Sequence, residues 1–483
     1  MNNDELINGI GNIDEDIIAI TAISRKRRSK KPLIIKFVAV AAALCMVFGI
    51  AYFVPGLRDD LGGVAPYPLT ALAIEAEYPE MPQYPSEELA ETDWDSYYEQ
   101  WQEWNEYRSD VCGYPTQQQM HGLDKFFAYT APAILSDTKG ENALYSPVNI
   151  YFALSMLAET TGGESREQIL SLLGSESVEE LRDTVNNLWL ANYRDDGITK
   201  AVFANSMWLR GDYDYKLDTL KTLKEKYYAS SYSGTMGAPE YNEALKKWLN
   251  DQTGGLLKDS VENLKGFNND TVIGLASTIY LKASWHDKFK SVYNTKEKFR
   301  SPTGDIECEF MNDSSMGSYY MGNGFTATYK SLNDYGGMYF ILPDEGSSPE
   351  ELISEGFVLD FIANPTCIRN DLLVNLKVPK FDVKSDMSLI ETLEGLGVTD
   401  VFSLESDMSP LTDEFVYVSS CDHSARVKIN EDGCEAAAFT VIIADAGSSM
   451  PKDEVDFFLD RPFIFAVTSP IGTPLFVGIV NNP

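Results

Sequence analysis

An α+β body behind one membrane-spanning helix is the fold class that the sequence predicts, and three observations support it. Residues Phe37–Val54 form an apolar run without a charge. Val427–Thr440 has the pattern of an acidic, glycine-hinged strand that runs into three alanines. Between Ser146 and Phe465, short segments follow one another in a characteristic order. Because 483 residues exceed what one hydrophobic core usually organises, we expect appendages or a second domain.

The N-terminal region has the pattern of a membrane anchor. A basic cluster, Arg25–Lys31, precedes the apolar run Phe37–Val54, which spans roughly 27 Å as a helix at about 1.5 Å per residue, close to the bilayer's hydrocarbon thickness. We place the anchor at 33–54 and, by the positive-inside rule, residues 1–32 in the cytoplasm. The rest of the chain is then extracellular at the cell membrane. A cleaved signal peptide and a secreted product are the alternative, but no convincing cleavage site follows Ala51.

Residues 55–115 are predicted to form an acidic, aromatic-rich linker. From Glu75 to Asp110 the chain carries twelve Asp and Glu residues against one Arg, and early prolines favour an extended start. Aromatic residues then recur at three- and four-residue steps, the spacing of one helix face. They are Trp94, Tyr97, Tyr98, Trp101, Trp104 and Tyr107. We expect this stripe to pack on the following domain, 116–483; a docking site for a partner is the alternative.

Composition and motifs disfavour several classes of function. The formal charge of −34 and the lack of a basic stripe argue against a nucleic-acid partner. None of His121, His286 and His423 lies in a metal-binding or catalytic motif. The sequence leaves open a triad assembled from scattered residues, but nothing nominates one. The six cysteines lack CxxC spacing, so we expect mostly buried free thiols. We expect no enzyme activity, metal site or cofactor.

Eight segments of the body carry a family resemblance. In chain order they are SPVNIYFALSMLAETTGGESREQIL (Ser146–Leu170), ANSMWLR (Ala204–Arg210), LASTIYLKASWHDKF (Leu275–Phe289), FILPDEG (Phe340–Gly346), VPKFDV (Val378–Val383), LGVTDVFS (Leu396–Ser403), DMSPL (Asp407–Leu411) and RPFIF (Arg461–Phe465). Their order and spacing are similar to those of the serpin family, over roughly Met120–Pro483. The resemblance implies a large central mixed β-sheet, further sheets, surrounding helices and an exposed reactive-centre loop. We therefore expect a bacterial, membrane-anchored, monomeric and inhibitory serpin.

The resemblance assigns a hinge at the start of the reactive loop. The hinge residues are Glu431, Gly433, Cys434, Glu435, Ala436, Ala437 and Ala438. Successive side chains of a strand point to opposite faces, so if Cys434 faces inward, Ala436 and Ala438 do too. No proline interrupts Val427–Ala446, so every residue there can donate a ladder hydrogen bond. In an exposed loop, Cys434 would also be open to oxidation.

The family's spacing from Glu431 places the scissile bond at Gly447–Ser448, with Ala446–Gly447 as the alternative. The residues near the bond are small, so we expect elastase- or subtilisin-like serine proteases as targets. The resemblance implies covalent suicide-substrate trapping: the protease forms an acyl-enzyme on the loop, and the severed loop then adds to the central sheet as a strand. Dragging the tethered protease away should distort its oxyanion hole and stop deacylation.

The resemblance also implies a latch that controls opening of the central sheet. His423 matches a buried histidine beneath the opening point, and Ser146 and Asn149 match its neighbours. Ser277 stands where the family commonly has Asn, so this latch is expected to use a shorter hydroxyl or a water. Trp285 matches a tryptophan near the top of the sheet, where the loop would begin to enter.

Phe439 departs from the family pattern, because inhibitory members usually keep this stretch small. Strand parity places its side chain outward, so insertion should remain feasible. The alternative function is a non-inhibitory serpin that acts as a binding or scaffold protein on the cell surface.

Overall fold

The computed structural model describes residues 72–85, 91–111, 115–366, 369–434 and 453–483. Every described residue belongs to one compact unit, Tyr67–Pro483. Within these ranges, no helix has the length and apolarity needed to cross a membrane. The predicted anchor and cytoplasmic segment lie outside the described residues, so both remain predictions.

Along the body, runs of helices are followed by runs of strands. The helices are α1 (Glu91–Val111), α2 (Gln117–Leu135), α3 (Pro147–Thr160), α4 (Gly163–Leu173), α5 (Val178–Asn192), α6 (Leu217–Tyr227), α7 (Pro239–Gln252), α8 (Lys258–Asn263), α9 (Pro349–Glu355), α10 (Phe357–Ala363) and α11 (Ile390–Gly395). The strands are β1 (Leu72–Ile74), β2 (Ala143–Tyr145), β3 (Arg194–Asp195), β4 (Lys200–Arg210), β5 (Ala229–Gly234), β6 (Ile273–Ser284), β7 (Thr295–Ser301), β8 (Gly304–Met321), β9 (Phe325–Ser331), β10 (Gly337–Pro343), β11 (Arg369–Pro379), β12 (Phe381–Ser388), β13 (Asp422–Ile429), β14 (Gly433–Cys434), β15 (Glu454–Phe458), β16 (Phe463–Thr468) and β17 (Pro474–Val480). The predicted α+β class is therefore what the described residues form.

Two large sheets organise the body. The central sheet has the strand order β1-β5-β4-β6-β14-β13-β12, with β3 paired to β4. It is mixed, since β4 pairs in parallel with β5 but antiparallel with β6. The second sheet runs β15-β11-β8-β9-β10-β16-β17-β2, with β7 paired to β8. Buried side chains from both sheets and the helices form one continuous hydrophobic cluster.

Helix α3 lies against the central sheet and carries two of the predicted latch residues. Its N-cap is Ser146, whose Oγ accepts the N–H of Asn149 at 3.3 Å, and Pro147 occupies the first turn. All residues of the helix except Ala153 are buried, as expected for a helix enclosed on all sides. The helix contacts β6 and β17. The start of α3 is therefore held rigidly beside the middle of the central sheet.

The N-terminal strap, which we define as residues 72–85 together with α1, packs on the body. Strand β1 adds to the edge of the central sheet by pairing antiparallel with β5. The chain then crosses to α5, where the ring of Tyr78 lies 5.3 Å from that of Trp189. The N–H of Tyr84 donates to the carbonyl oxygen of Asp196 at 2.7 Å. This half of the predicted linker is thus continuous with the body.

The aromatic residues of α1 divide into a packed and an exposed set. Trp104 and Tyr97 are buried, whereas Tyr98 and Tyr107 are 59% and 43% exposed. The guanidinium of Arg194 lies 5.0 Å from the ring centroid of Trp101. The packed face therefore follows the three- and four-residue spacing predicted from sequence. The domain boundary at residue 116 stays a prediction.

Candidate functional site

The described part of the hinge lies inside the central sheet. Strand β14 pairs antiparallel with β6 through Gly433↔Ser284 and Cys434↔Ala283. On its other side Cys434 pairs with Ile429 of β13. Among the described strands, no ladder joins β6 to β13 directly, because β14 stands between them in the sheet order. Two residues of a new strand thus already occupy the gap between β6 and β13.

Gly433 makes this close pairing possible. A Cβ atom at this position would lie 2.2 Å from the carbonyl oxygen of Ala283 and 2.7 Å from Cα of Ser284. Both distances are far below contact, and both neighbours are backbone atoms that cannot turn aside. Glycine is therefore required here for steric reasons.

Glu431 fixes the base of the hinge through polar contacts. Its carboxylate lies 2.8 Å from Nζ of Lys380 and accepts a hydrogen bond from Nδ2 of Asn294 at 2.6 Å. Partial burial alone would raise the pKa of Glu431, but the bonds from Lys380 and Asn294 hold it below its ordinary value. The N–H of Phe289 also donates to the Glu431 carbonyl oxygen at 3.1 Å. The base of the hinge is thus tied to two segments that connect strands, one at Phe289 and Asn294 and the other at Lys380.

Trp285 binds the two residues on either side of Glu431. Its backbone N–H donates to the carbonyl oxygen of Asp432 at 2.9 Å, and its indole Nε1–H donates to that of Asn430 at 2.8 Å. The side chain is buried and contacts Phe289 edge-on at 6.0 Å. The side chain of Asp432 also pairs with Lys288 at 3.0 Å. The structure thus places Trp285 directly beside the entry point of the loop.

His423 accepts a hydrogen bond from the start of α3. The backbone N–H of Ser146 donates to Nε2 of His423 at 3.1 Å. An accepting Nε2 carries no proton, so this contact requires a neutral ring. Burial lowers the pKa of His423 to about 4, and nearby Asp386 opposes that shift only in part. The ring therefore stays neutral at physiological pH.

Ser277 connects α3 to the central sheet on the other side of the gap. Nδ2 of Asn149 donates to the Ser277 carbonyl oxygen at 3.1 Å. The Ser277 Oγ lies 2.7 Å from Oδ1 of Asn205 and also contacts Oδ1 of Asn149. A hydroxyl has a single proton, so it can donate to only one of the two amides at a time. The hydrogen bond of the Ser277 hydroxyl can therefore change between Asn149 and Asn205.

Several functional contacts were not predicted from sequence. They involve Asn205, Asn294, Lys380 and Asn430. A signal existed for three of them: Asn205 lies within the ANSMWLR segment, Lys380 lies within the VPKFDV segment, and Asn430 precedes the acidic, glycine-containing hinge. The Oδ1 atom of Asn430 accepts the N–H groups of Asp432 and Gly433 at 2.9 and 3.3 Å, which is a local turn that Asn favours.

The remaining predicted loop residues lie outside the described ranges. These are Glu435, Ala436, Ala437, Ala438, Ala446, Gly447 and Ser448. Cys434 is described, and its side chain is 3% exposed within the hydrophobic cluster. Our expectation that Cys434 sits in an exposed, oxidisable position is therefore wrong, because the hinge residue is already enclosed by β6 and β13. Over the described residues, no cluster of His, Cys, Asp and Glu could hold a metal ion.

The comparisons with known proteins identify the family. A family model described as Serpin (serine protease inhibitor) matches residues 123–483, well over half of the chain. The chain belongs to the serpin family. It is similar to Serpin-Z1C of Triticum aestivum, with 30% identity over 74% of this chain and 95% of the relative. It is also similar to Serpin-ZX of Arabidopsis thaliana, with 28% identity over 72% and 94%.

Solved structures agree with this assignment. The native state of Tengpin, a thermophilic serpin, matches with a TM-score of 0.68 and 25% identity, over 76% of this serpin and 95% of Tengpin. The family is described as serine protease inhibitors, and the chain is accordingly not an enzyme. The plant relatives give no support to a bacterial source, which stays a prediction.

Proposed function

We propose that this serpin traps serine proteases covalently and inserts its severed reactive loop into the central sheet. The observation that carries the proposal is the position of β14, which occupies the top of a gap between β6 and β13. The chain continues from Cys434 without a proline as far as Ala446. Cleavage beyond that point would release a segment whose first residues, Gly433 and Cys434, already lie in the gap, and the segment could then pair with both neighbouring strands.

The energy available from insertion is sufficient to displace a bound protease. About ten further ladder hydrogen bonds at roughly 0.5–1.5 kcal/mol each would stabilise the inserted form by roughly 5–15 kcal/mol before apolar burial is counted. Distance supports the same mechanism. The residues from Glu431 to Gly447 extend roughly 56 Å at about 3.3 Å per residue, close to the diameter of about 50–55 Å expected for the body.

The proposed targets are proteases with small primary pockets, of the elastase or subtilisin type. The residues around the predicted bond, Gly447–Ser448 or Ala446–Gly447, are small. No Arg or Lys occurs between Lys428 and Lys452. Mass spectrometry of the peptide that a panel of such proteases releases would locate the bond. Cleavage C-terminal to Lys452 by trypsin-like proteases, with trapping, would contradict this specificity.

We further propose that the serpin body is held at the outer surface of the cell membrane by a helix at 33–54. The support is the apolar run Phe37–Val54 behind the basic cluster Arg25–Lys31. Membrane fractionation of the full chain, with mass spectrometry of its N-terminus, tests this. An N-terminus beyond Val54 in a soluble fraction would instead support the secreted form.

A non-inhibitory binding or scaffold serpin is the second candidate, and Phe439 favours it because a large residue lies in the segment that must insert. The fold itself does not decide between them. Thyroxine-binding globulin complexed with thyroxine shares this fold with a TM-score of 0.65 at 22% identity, a likeness that shows the fold alone.

Two matched variants test insertion. Strand parity places Ala436 on the same face as the buried Cys434, and Ala437 on the opposite face. Ala436→Arg should block insertion and convert the inhibitor into a cleaved substrate, whereas Ala437→Arg should still form an SDS-resistant complex with an elastase- or subtilisin-like protease. Cleavage of the parent chain should also raise its Tm. No complex and an unchanged Tm would identify the non-inhibitory alternative.

A further inference from the structure

A cavity of about 580 Å³ lies beside the two points where the reactive loop leaves and re-enters the described body. Its lining includes Lys288, Lys290, Tyr293, Asn312, Lys377 and Phe458. This volume is typical of a site that takes a small group or a few side chains. Lys288, which pairs with Asp432, is the one hinge contact named above that lines the cavity.

The walls of the cavity come from the elements that flank the loop. Lys288 pairs with Asp432 at 3.0 Å, two residues before Cys434. Phe458 ends β15, the strand that follows the loop, and is in register with Lys377 of β11. A protease bound to the loop that joins these two ends would therefore come close to the cavity.

The cavity has a cation that is not neutralised. Lys288 pairs with Asp432, and Lys377 pairs with Glu297 at 2.8 Å. Among the described residues, no ion pair involves Lys290, whose side chain is exposed. The one acidic residue of the lining, Asp313, is paired with Lys330 at 2.8 Å. In a chain with a formal charge of −34, an unpaired lysine in a cavity lined by two further lysines is a local exception that would attract an acidic group.

Apolar side chains are exposed beside this cation. Val292 and Tyr293, on the short 3-10 turn Ser291–Tyr293, are 80% and 58% exposed, and Phe458 is 38% exposed. The Nζ atom of Lys377 lies 4.7 Å from the centroid of the Phe458 ring. Exposed aromatic rings next to a cation are the composition of protein-binding hot spots, and a monomer otherwise avoids exposing such groups together.

We propose that this cavity is a secondary docking site for the target protease. An Asp or Glu on the protease surface, at the border of its active-site cleft, pairs with Lys290 while a neighbouring apolar side chain packs between Tyr293 and Phe458. This inference rests on the proposed inhibitory function and adds to it a class of partner: serine proteases with an acidic cleft border. The contact acts on the association step, since a charge at the rim of an interface mainly changes the rate of encounter.

A charge reversal with a matched control tests the site. Lys290→Glu is compared with Lys125→Glu, an equal reversal at an exposed position of α2 outside the cavity. Both variants and the parent chain are assayed with subtilisin and pancreatic elastase, and the faster-inhibited protease is used. We expect Lys290→Glu to lower the second-order inhibition rate constant about tenfold and to reduce its salt dependence, while Lys125→Glu changes neither. The stoichiometry of inhibition should stay unchanged in both.

Tyr293→Ala provides a second variant without a charge change, and it should lower the same rate constant severalfold. Equal rate constants for Lys290→Glu and Lys125→Glu, with complexes formed by both, would overturn the docking site and leave the inhibitory function intact. An absence of complexes with either protease would overturn both. Calorimetric binding of 2-naphthalenesulfonate, lost in Lys290→Glu without an effect on protease inhibition, would assign the cavity to a small anion and also overturn the proposal.

Discussion

The central sheet carries an added strand at its edge and another in its interior, and different forces hold the two. At the edge, β1 pairs with β5, and the strap beyond it buries aromatic side chains such as Trp104. In the interior, β14 is held by the polar contacts of Glu431 and Trp285 and by a glycine that permits close approach. At the edge, release of β1 and the strap would expose buried apolar surface. In the interior, β14 is held by polar contacts that can be exchanged for others when the sheet rearranges.

Removal of a buried side chain should lower the free energy of unfolding more at the edge of the central sheet than in its interior. Trp104 is 5% exposed, so Trp104→Ala should lower the free energy of unfolding by about 3–5 kcal/mol through lost burial and a cavity. Denaturant unfolding followed by fluorescence measures this. Tyr98→Ala, on the exposed side of the same helix, is the control and should stay within about 0.5 kcal/mol. A similar loss in both variants would mean that α1 does not pack through this face.

The interior latch should be sensitive to pH. The pKa of His423 is about 4 in the folded chain against an ordinary value of 6.5, so protonation favours the unfolded state. Stability is therefore fully present above pH 6.5 and should be lost as pH falls from 6.5 to about 4, by roughly 3 kcal/mol. Comparison of unfolding at pH 7 and pH 4.5 measures the effect. His423→Gln keeps an acceptor for the Ser146 N–H and should make the free energy of unfolding less dependent on pH. If the pH dependence is the same in this variant, groups other than His423 cause it.

A substitution at Gly433 tests whether β14 stays in the sheet only because its backbone lies close to that of β6. Gly433→Ala places a Cβ atom against the backbone of Ala283, so we expect β14 to leave the sheet at a cost of about 1–3 kcal/mol. Cys434 should then react with a thiol reagent much faster than in the parent chain, where it is buried. Gly395→Ala, where nothing lies within 4 Å of the added methyl, is the control. Equal thiol reactivity in all three proteins would refute the requirement for glycine.

The smallest effect is expected at Ser277. Ser277→Ala removes the hydroxyl that contacts Asn205 at 2.7 Å, which should cost about 1 kcal/mol. Chemical denaturation measures it, with Ser354→Ala on the exposed face of α9 as a reference that should change little. A stabilised Ser277→Ala chain would show that the divided hydrogen bond is unfavourable in the closed sheet.

Local patterns explain which parts of this architecture could be predicted. The eight ordered segments predicted the serpin fold, and the spacing of Trp94, Tyr97, Trp101 and Trp104 predicted a packed helix face. The pairing of β1 with β5 could not be predicted, because three residues carry too little periodicity to identify a strand. Its partner strand also lies more than 150 residues further along the chain.

In the site, too, residues within local sequence patterns could be predicted, whereas contacts between residues far apart in the chain could not. Hinge and latch residues were assigned by resemblance, and Gly433 also by its position within the strand pattern. The partners of Glu431 were not foreseen, since Asn294 lies 137 residues away and nothing local links the two. The burial of Cys434 was missed for a related reason: strand parity fixes the face of a side chain but not how far the strand has entered the sheet.

The bond from the N–H of Ser146, the N-cap of α3, to His423 has a kinetic consequence. When β13 moves away from α3, the Ser146 N–H loses its only acceptor found among the described residues while still enclosed by protein. A buried donor without a partner costs about 1–3 kcal/mol, which slows a first-order step by roughly one to two orders of magnitude. If the loop inserts as proposed, the single imidazole of His423 should therefore slow spontaneous insertion and lengthen the lifetime of the uninserted form.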